Sequence, residues 1–203
     1  MIYKDCSTVI ITPTKDGMVS IKVVESWMNL RFPLNNKFLR IFVTGQEVGD
    51  AYSQTIEMIL NHPELSKYKY ILTVEADNLP PVDGLLKLYE NMDKYDVIGG
   101  LYWSKGGEVP MVFGNTQEEL NFIPYLETRD IQPAWGVGMG FTLYKMDIFK
   151  DQRLKRPFFK TINTEEEVMT QDLYFFKNLA SLGYKVAVDT RVKVGHFDGQ
   201  KVW

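Results

Sequence analysis

Tyr70 to Val74 (YILTV) is an apolar run that stops at two carboxylates one residue apart, Glu75 and Asp77. Such a run suits a strand covered on both faces, and in open α/β sheets ligands gather just beyond the carboxyl ends of such strands. Carboxylates there are poorly placed for packing and well placed for chemistry. Oxygen ligands suit Mg²⁺ or Mn²⁺, and Mg²⁺ commonly binds through one or two carboxylates plus substrate phosphates. The pattern points to a phosphate-bearing substrate. The bland alternative is a strand ending in an ordinary Asp-Asn turn, punctuated by Asn78 and Pro80-Pro81.

Three later features bear on the same chemistry. Gln171-Asp172 opens a helix that Thr170 is expected to cap. A carboxylate in a first helical turn is kept ionised and fixed in direction by the unpaired N–H groups around it, so Asp172 suits a general base that reaches an acceptor proton. A plain helix-start Asp is the alternative. His196, in Val192 to Phe197 (VKVGHF), follows a strand and a glycine, where it could turn inward to a metal held by Asp77; a histidine ligand tilts the choice toward Mn²⁺. A core or surface histidine is the competing reading, and His62, at a helix end, fits that description. The cluster Trp135 to Phe141 alternates glycines Gly136, Gly138 and Gly140 with larger residues. Small residues let a substrate approach the backbone, and Trp135 offers a flat surface for a sugar or base, although core packing or a bulge explains the same residues.

These residues need a scaffold. Ser7 to Thr12 reads as a β-branched strand, Thr14 to Gly17 as a polar turn, and Met18, Ile21, Val24, Trp27 and Met28 recur at helical spacing. Leu39 to Thr44 is a second strand, and Tyr52, Ile56, Ile59 and Leu60 form the face of a second helix that Pro63 ends. Lys69 to Val74 is the third strand. Leu85, Leu86, Leu88 and Tyr89 suggest a helix before the strand Asp96 to Gly100, and Lys185 to Asp189 closes the series. Strand and helix alternate, which implies a Rossmann-like, mostly parallel sheet flanked by helices. The stretch Lys105 to Pro133 lacks periodicity and reads as binding loop.

With 203 residues, one domain is the simplest description. The formal charge of -3 gives little global attraction to nucleic acid or anionic lipid. The lone Cys6 cannot form an internal disulfide, no apolar run is long enough to span a bilayer, and the amino terminus does not read as a signal peptide; a reduced, cytoplasmic home is expected.

Taken in order, the motifs resemble the GT-A glycosyltransferases, in particular compact family-2-like members common in bacterial, archaeal and phage genomes. The resemblance rests on Thr12-Pro13-Thr14, Glu75-x-Asp77, Asp96 to Tyr102 (DVIGGLY), Gly138-x-Gly140, Gln171-Asp172-Leu173-Tyr174-Phe175, Gly183-Tyr184-Lys185-Val186 and Gly195-His196, and covers nearly the whole chain. It implies a single GT-A domain, with residues 1–100 as the nucleotide- and metal-binding half and 101–203 as the acceptor-binding half. It implies a nucleotide-sugar donor, a UDP-sugar foremost, near Thr12, Pro13, Thr14, Asp16, Gln54, Glu75, Ala76 and Asp77. It further implies Mn²⁺ or Mg²⁺ at Asp77 with His196, Asp172 as base, and an acceptor near Trp135, Gly136, Gly138, Gly140 and Gln171. Two departures stand out: Glu75 replaces the first Asp of the usual Asp-x-Asp, and Gln171 replaces the Glu that usually precedes the base.

The reaction so implied is metal-dependent, inverting transfer of a sugar to an acceptor hydroxyl. A sugar-phosphate nucleotidyltransferase is the competing enzyme, although Pro13 to Gly17 imitates its glycine-rich basic loop poorly. A non-catalytic nucleotide-sugar-binding protein of the same fold is the other alternative, favoured by Glu75 and Gln171. The acceptor could be a saccharide, a protein, a lipid head group or a modified nucleobase. For the last, Arg153, Lys155, Arg156 and Lys160 would meet phosphate while Phe158 and Phe159 stack on bases, unless the phenylalanines are buried.

Overall fold

The computed structural model describes residues 4–34, 37–115 and 119–203; the part of the irregular stretch at 116–118 lies outside the described residues. The chain runs β1 (Thr8–Thr14), α1 (Ile21–Asn29), β2 (Phe38–Thr44), α2 (Val48–Asn61), β3 (Tyr70–Val74), β4 (Asn78–Leu79), α3 (Gly84–Glu90) and β5 (Val97–Leu101). It continues through β6 (Val112–Phe113), β7 (Ile131–Ala134), β8 (Gly136–Val137), β9 (Phe141–Lys145) and α4 (Met146–Lys150). The last elements are β10 (Ile162–Asn163), β11 (Val168–Met169), α5 (Gln171–Ala180), β12 (Val186–Lys193) and β13 (Gly195–His196).

Seven strands form the central sheet in the order β2-β1-β3-β9-β5-β12-β7. β1 pairs in parallel with β2 and β3, and β5 with β12. β9 enters antiparallel between β3 and β5, and β7 closes the far edge antiparallel to β12. The sequence pattern anticipates the parallel part and misses the insertion of β9. The reason is positional: the chain arrives at Phe141 beside Val74, at the carboxyl end of β3, so β9 must run back.

Inner strands are buried on both faces, and alternate residues feed opposite cores. Val9, Ile11 and Ile71 join Tyr52, Ile56 and Ile59 of α2 and Phe175 and Phe176 of α5 in one cluster. Ile10, Leu72 and Val74 join Val23 and Trp27 of α1 and Leu85 and Leu88 of α3 in the other. This is the period-2 alternation of strands in a sheet covered by helices on both faces.

Some sequence expectations shift. β1 continues through Pro13 and Thr14, which pair with Val43 and Thr44, so the polar turn starts later. In α1 the buried positions are Val23 and Trp27, whereas Ile21 and Met28 are exposed and Met18 precedes the helix. Phe158 and Phe159 are buried in the core, Arg156 pairs with Glu57 and Arg153 with Asp151, so no base could stack on those rings. His62 Nδ1 accepts from the N–H groups of Glu64 and Leu65, the bland role expected of it. Among the described residues no helix is long and apolar enough to cross a membrane.

Candidate active site

The carboxyl ends of β1, β2 and β3 open onto a cavity of about 400 Å³ lined by Pro13, Thr14, Lys15, Gln46, Glu47, Val48, Glu75, Ala76 and Asp77. β2 lies on one side of β1 and β3 on the other, so the chain's direction of winding reverses here, the place where open α/β sheets bind ligands. Among the described residues Thr14 contributes a buried hydroxyl with no hydrogen-bond partner, and so does Thr12 Oγ1 on the same strand. Glu47 caps α2 by accepting from Gly49 N and Asp50 N, and its other oxygen accepts from the Thr161 hydroxyl.

The turn after β3 is held from three directions. Glu75 N donates to Gly140 O (3.2 Å), Phe197 N donates to Asp77 O (2.8 Å), and Trp27 Nε1 donates to Asn78 O (3.1 Å). The short β4 pairs with β13, matching Asn78 with His196. That two-residue ladder carries His196 across the chain to Asp77, with Nε2 3.5 Å from Asp77 Oδ2. His196 Nδ1 lies 2.8 Å from the Trp103 carbonyl, which can only accept, so Nδ1 carries the proton. With a proton on Nε2 the ring would donate to Asp77 Oδ2; with a cation in that proton's place, the Nε2 lone pair and the carboxylate would face the same ion. Two electron-pair donors brought together in this way fit a cation, and the backbone carbonyl behind the histidine is the usual support for a metal-binding imidazole. Among the described residues no group of three or more His, Cys, Asp or Glu side chains forms a complete cage. Two protein donors, with substrate oxygens and water filling the rest, suit Mg²⁺ or Mn²⁺.

Burial works to raise the Asp77 carboxyl, but hydrogen bonds and charge from His196 and Lys105 outweigh it and hold the group below its ordinary value. Glu75, two residues away, goes the other way: burial first, then the charges of Asp77 and Asp172, push it up to about 8. Asp172 is buried at the start of α5, and burial raises it against opposing hydrogen bonds from Thr170 and Leu173 N. Thr170 stands at the N-cap of α5 as expected, but its hydroxyl is turned onto Asp172 Oδ1 and makes no capping bond to the helix N–H groups. Leu173 N donates to the same oxygen at 2.9 Å.

The structure brings together Pro13, Thr14, Glu75, Ala76, Asp77 and His196, with Asp172 close enough for its charge to act on Glu75. Gln171 packs against Gly49 at the start of α2. Asp16 is exposed and accepts from Met18 N within its own turn, and Gln54 is exposed on α2; neither lines the cavity. Trp135 lies elsewhere. It follows Ala134, which pairs with Val186 at the opposite, amino end of β12, and it lines a separate cavity of about 270 Å³ with Tyr95, Pro133, Tyr184 and Lys185. The glycines serve close packing of the chain on itself. Phe176 fills the space beside Gly136 and Tyr102 that beside Gly138, while a β-carbon on Gly140 would fall 2.5 Å from Asn78 Oδ1.

Lys105 is the residue that sequence reasoning missed: its Nζ lies 2.7 Å from Asp77 Oδ2. Its only sequence signal was position, beside Gly106-Gly107 in the irregular stretch. Glu47 and Lys15 also line the cavity without standing out in the sequence.

No protein-family model and no curated protein matches the chain. Solved structures do. A197 from STIV aligns with a TM-score of 0.65 at 19% identity, covering 94% of this chain and 85% of A197. The S. aureus TarS 1–349 structure in complex with UDP-GlcNAc aligns at 0.53 and 12% identity, over 90% of this chain and 55% of that one. GalNAc-T7 with UDP, GalNAc and Mn²⁺ aligns at 0.57 and 10% identity, over 94% of this chain and 43% of that one. Likeness at these identities concerns architecture. On architecture the three align with most of this chain, and the chain has the GT-A fold.

Proposed function

We propose that this chain is a metal-dependent glycosyltransferase that moves a sugar from a nucleoside-diphosphate sugar to an acceptor hydroxyl with inversion. The observation that carries the reading is the meeting of Asp77 and His196, 3.5 Å apart, at the mouth of the cavity beyond β1 and β3. Asp77 and His196 would hold Mn²⁺ or Mg²⁺, the donor's diphosphate completing the coordination. When bound, the cation offsets the charge that develops on the diphosphate leaving group. Pro13, Thr14, Glu75 and Ala76 line the space for the nucleotide. The UDP-GlcNAc held by TarS and the UDP held by GalNAc-T7 favour a UDP-sugar.

Asp172 is the base in this reading. The acceptor oxygen forms its bond to the anomeric carbon as the bond to the diphosphate breaks; the electron pair leaves with the diphosphate and the hydroxyl proton passes to the Asp172 carboxylate. Burial raises Asp172, which strengthens it as a base, while Thr170 and Leu173 N fix its direction.

The test is calorimetric titration with UDP-, GDP-, CDP- and dTDP-sugars, with and without Mn²⁺. Metal-dependent binding of one donor is the expected result; a ligand at 100 times its Kd would also add about 2.7 kcal/mol to stability. Failure of every donor to bind at millimolar concentration would overturn the proposal. Donor binding without transfer to any acceptor would favour a binding protein of the same fold.

A further inference from the structure

Lys105 Nζ and His196 Nε2 approach the same atom, Asp77 Oδ2, at 2.7 Å and 3.5 Å. The ammonium therefore sits against the oxygen that a cation at Asp77 and His196 would use. A cation that uses Oδ2, the oxygen nearest His196, must compete with the Lys105 ammonium already 2.7 Å from it. The pair is partly exposed, with the Lys105 side chain 50% accessible, so separation costs little.

The turn that carries Lys105 is built so that the side chain moves and the backbone stays. Ser104 N donates to Val109 O, Gly107 N to Ser104 O, and Val109 N to the Ser104 hydroxyl. Gly106 and Gly107 both adopt positive φ, 104° and 75°, and the Trp203 ring lies against Gly107. Trp203 in turn exchanges backbone hydrogen bonds with His196, and its indole N–H donates to Asp198. The base of the turn is thus tied to the strand that carries His196, while the four-carbon stem of Lys105 remains free to reorient. A divalent cation that displaced it from Asp77 would leave the ammonium free to reach an anion bridged to that cation.

Resting on the cation reading of Asp77 and His196, we propose that Lys105 is a ligand for the donor's diphosphate, parked on Asp77 until cation and donor arrive. It lowers the affinity for a free cation and raises the affinity for the cation-diphosphate pair. This couples the two ligands: metal without donor binds poorly, and metal with donor gains a phosphate contact.

The test uses Mn²⁺ alone and then Mn²⁺ with inorganic pyrophosphate, a probe independent of base and sugar. The proteins are the wild type, Lys105→Met, which keeps the stem and loses the charge, and Asp77→Asn. Free Mn²⁺ is followed by electron paramagnetic resonance and pyrophosphate binding by calorimetry, with circular dichroism to verify folding. Lys105→Met is expected to bind Mn²⁺ alone about five-fold more tightly, the worth of one partly exposed ion pair. It should bind pyrophosphate in the presence of Mn²⁺ roughly ten-fold more weakly, as for one lost charge-assisted hydrogen bond. If Asp77→Asn abolishes Mn²⁺ binding but Lys105→Met matches the wild type in both titrations, the parked-ligand proposal is overturned and the metal site stands. Absence of Mn²⁺ binding to every protein, with and without pyrophosphate, would overturn both.

Discussion

Replacing Glu75 by Gln should stabilise the protein at neutral pH, and the gain should disappear in acid. Burial, with the charges of Asp77 and Asp172, pushes the Glu75 carboxyl up to about 8 from an ordinary 4.5. The folded protein therefore keeps a proton that the unfolded chain gives up. Stability is full below 4.5 and is lost as pH rises from 4.5 through 8, because over that window the native state binds more protons than the unfolded one. At about 1.36 kcal/mol per unit, the part of the window crossed by pH 7 amounts to about 3 kcal/mol. Glu75 lines the cavity and keeps partial contact with solvent, which reduces the expected figure to about 2 kcal/mol. Gln copies the shape of the protonated carboxyl and has no proton to lose. The variant should match the wild type near pH 4.5 and exceed it by roughly 4 to 8 °C in Tm at pH 7, given the size of the chain. Urea and thermal unfolding at a series of pH values would measure this, in the presence of EDTA so that no cation offsets the Glu75 charge. Parallel stability curves for the two proteins across the window would refute the reasoning.

Asp172→Asn should leave Mn²⁺-dependent donor binding intact and lower transfer by about 10² to 10⁴, the usual worth of a general base; turnover within a few-fold of wild type would remove Asp172 from that role. Gly140→Ala places a β-carbon 2.5 Å from Asn78 Oδ1, beneath the turn of Glu75 to Asn78, and should cost about 1 to 3 kcal/mol in urea unfolding. An unchanged midpoint would mean that the turn yields more easily than its hydrogen bonds suggest. Trp135→Ala should lower stability, since the indole packs on Gly114 and donates to Asn115 O, yet leave donor affinity unchanged. A large loss of donor affinity in that variant would contradict its placement at the amino ends of the strands.

The parts of the site legible in the sequence share one property: each lies where an apolar element ends. YILTV stops at Glu75, the aromatic face of α5 begins after Asp172, and VKV stops before Gly195-His196. Strand ends and helix starts must leave polar groups at a rim, so a carboxylate or histidine found there is already at a candidate site. Lys105 had no such marker. Its contact with Asp77 spans 28 positions, and its turn packs at Gly107 against Trp203, nearly a hundred positions later; local spacing carries no record of either contact. Gly138 and Gly140 were visible as glycines, but the neighbours that require them, Tyr102 and Asn78, come from distant parts of the chain.

The sequence by itself determined the layered architecture, because alternating burial along β-branched strands and helical spacing in α2 leave few other ways to cover both faces of a sheet. It also determined which carboxylates stand at the rim. Tertiary structure alone decided how those groups act on one another. The β4–β13 pairing sets His196 against Asp77, the insertion of β9 brings Gly140 under the same turn, and the cluster of Glu75, Asp77 and Asp172 sets which carboxyl keeps its proton. These are long-range effects of distance and desolvation, which fall off over a few ångströms in space whatever the separation along the chain.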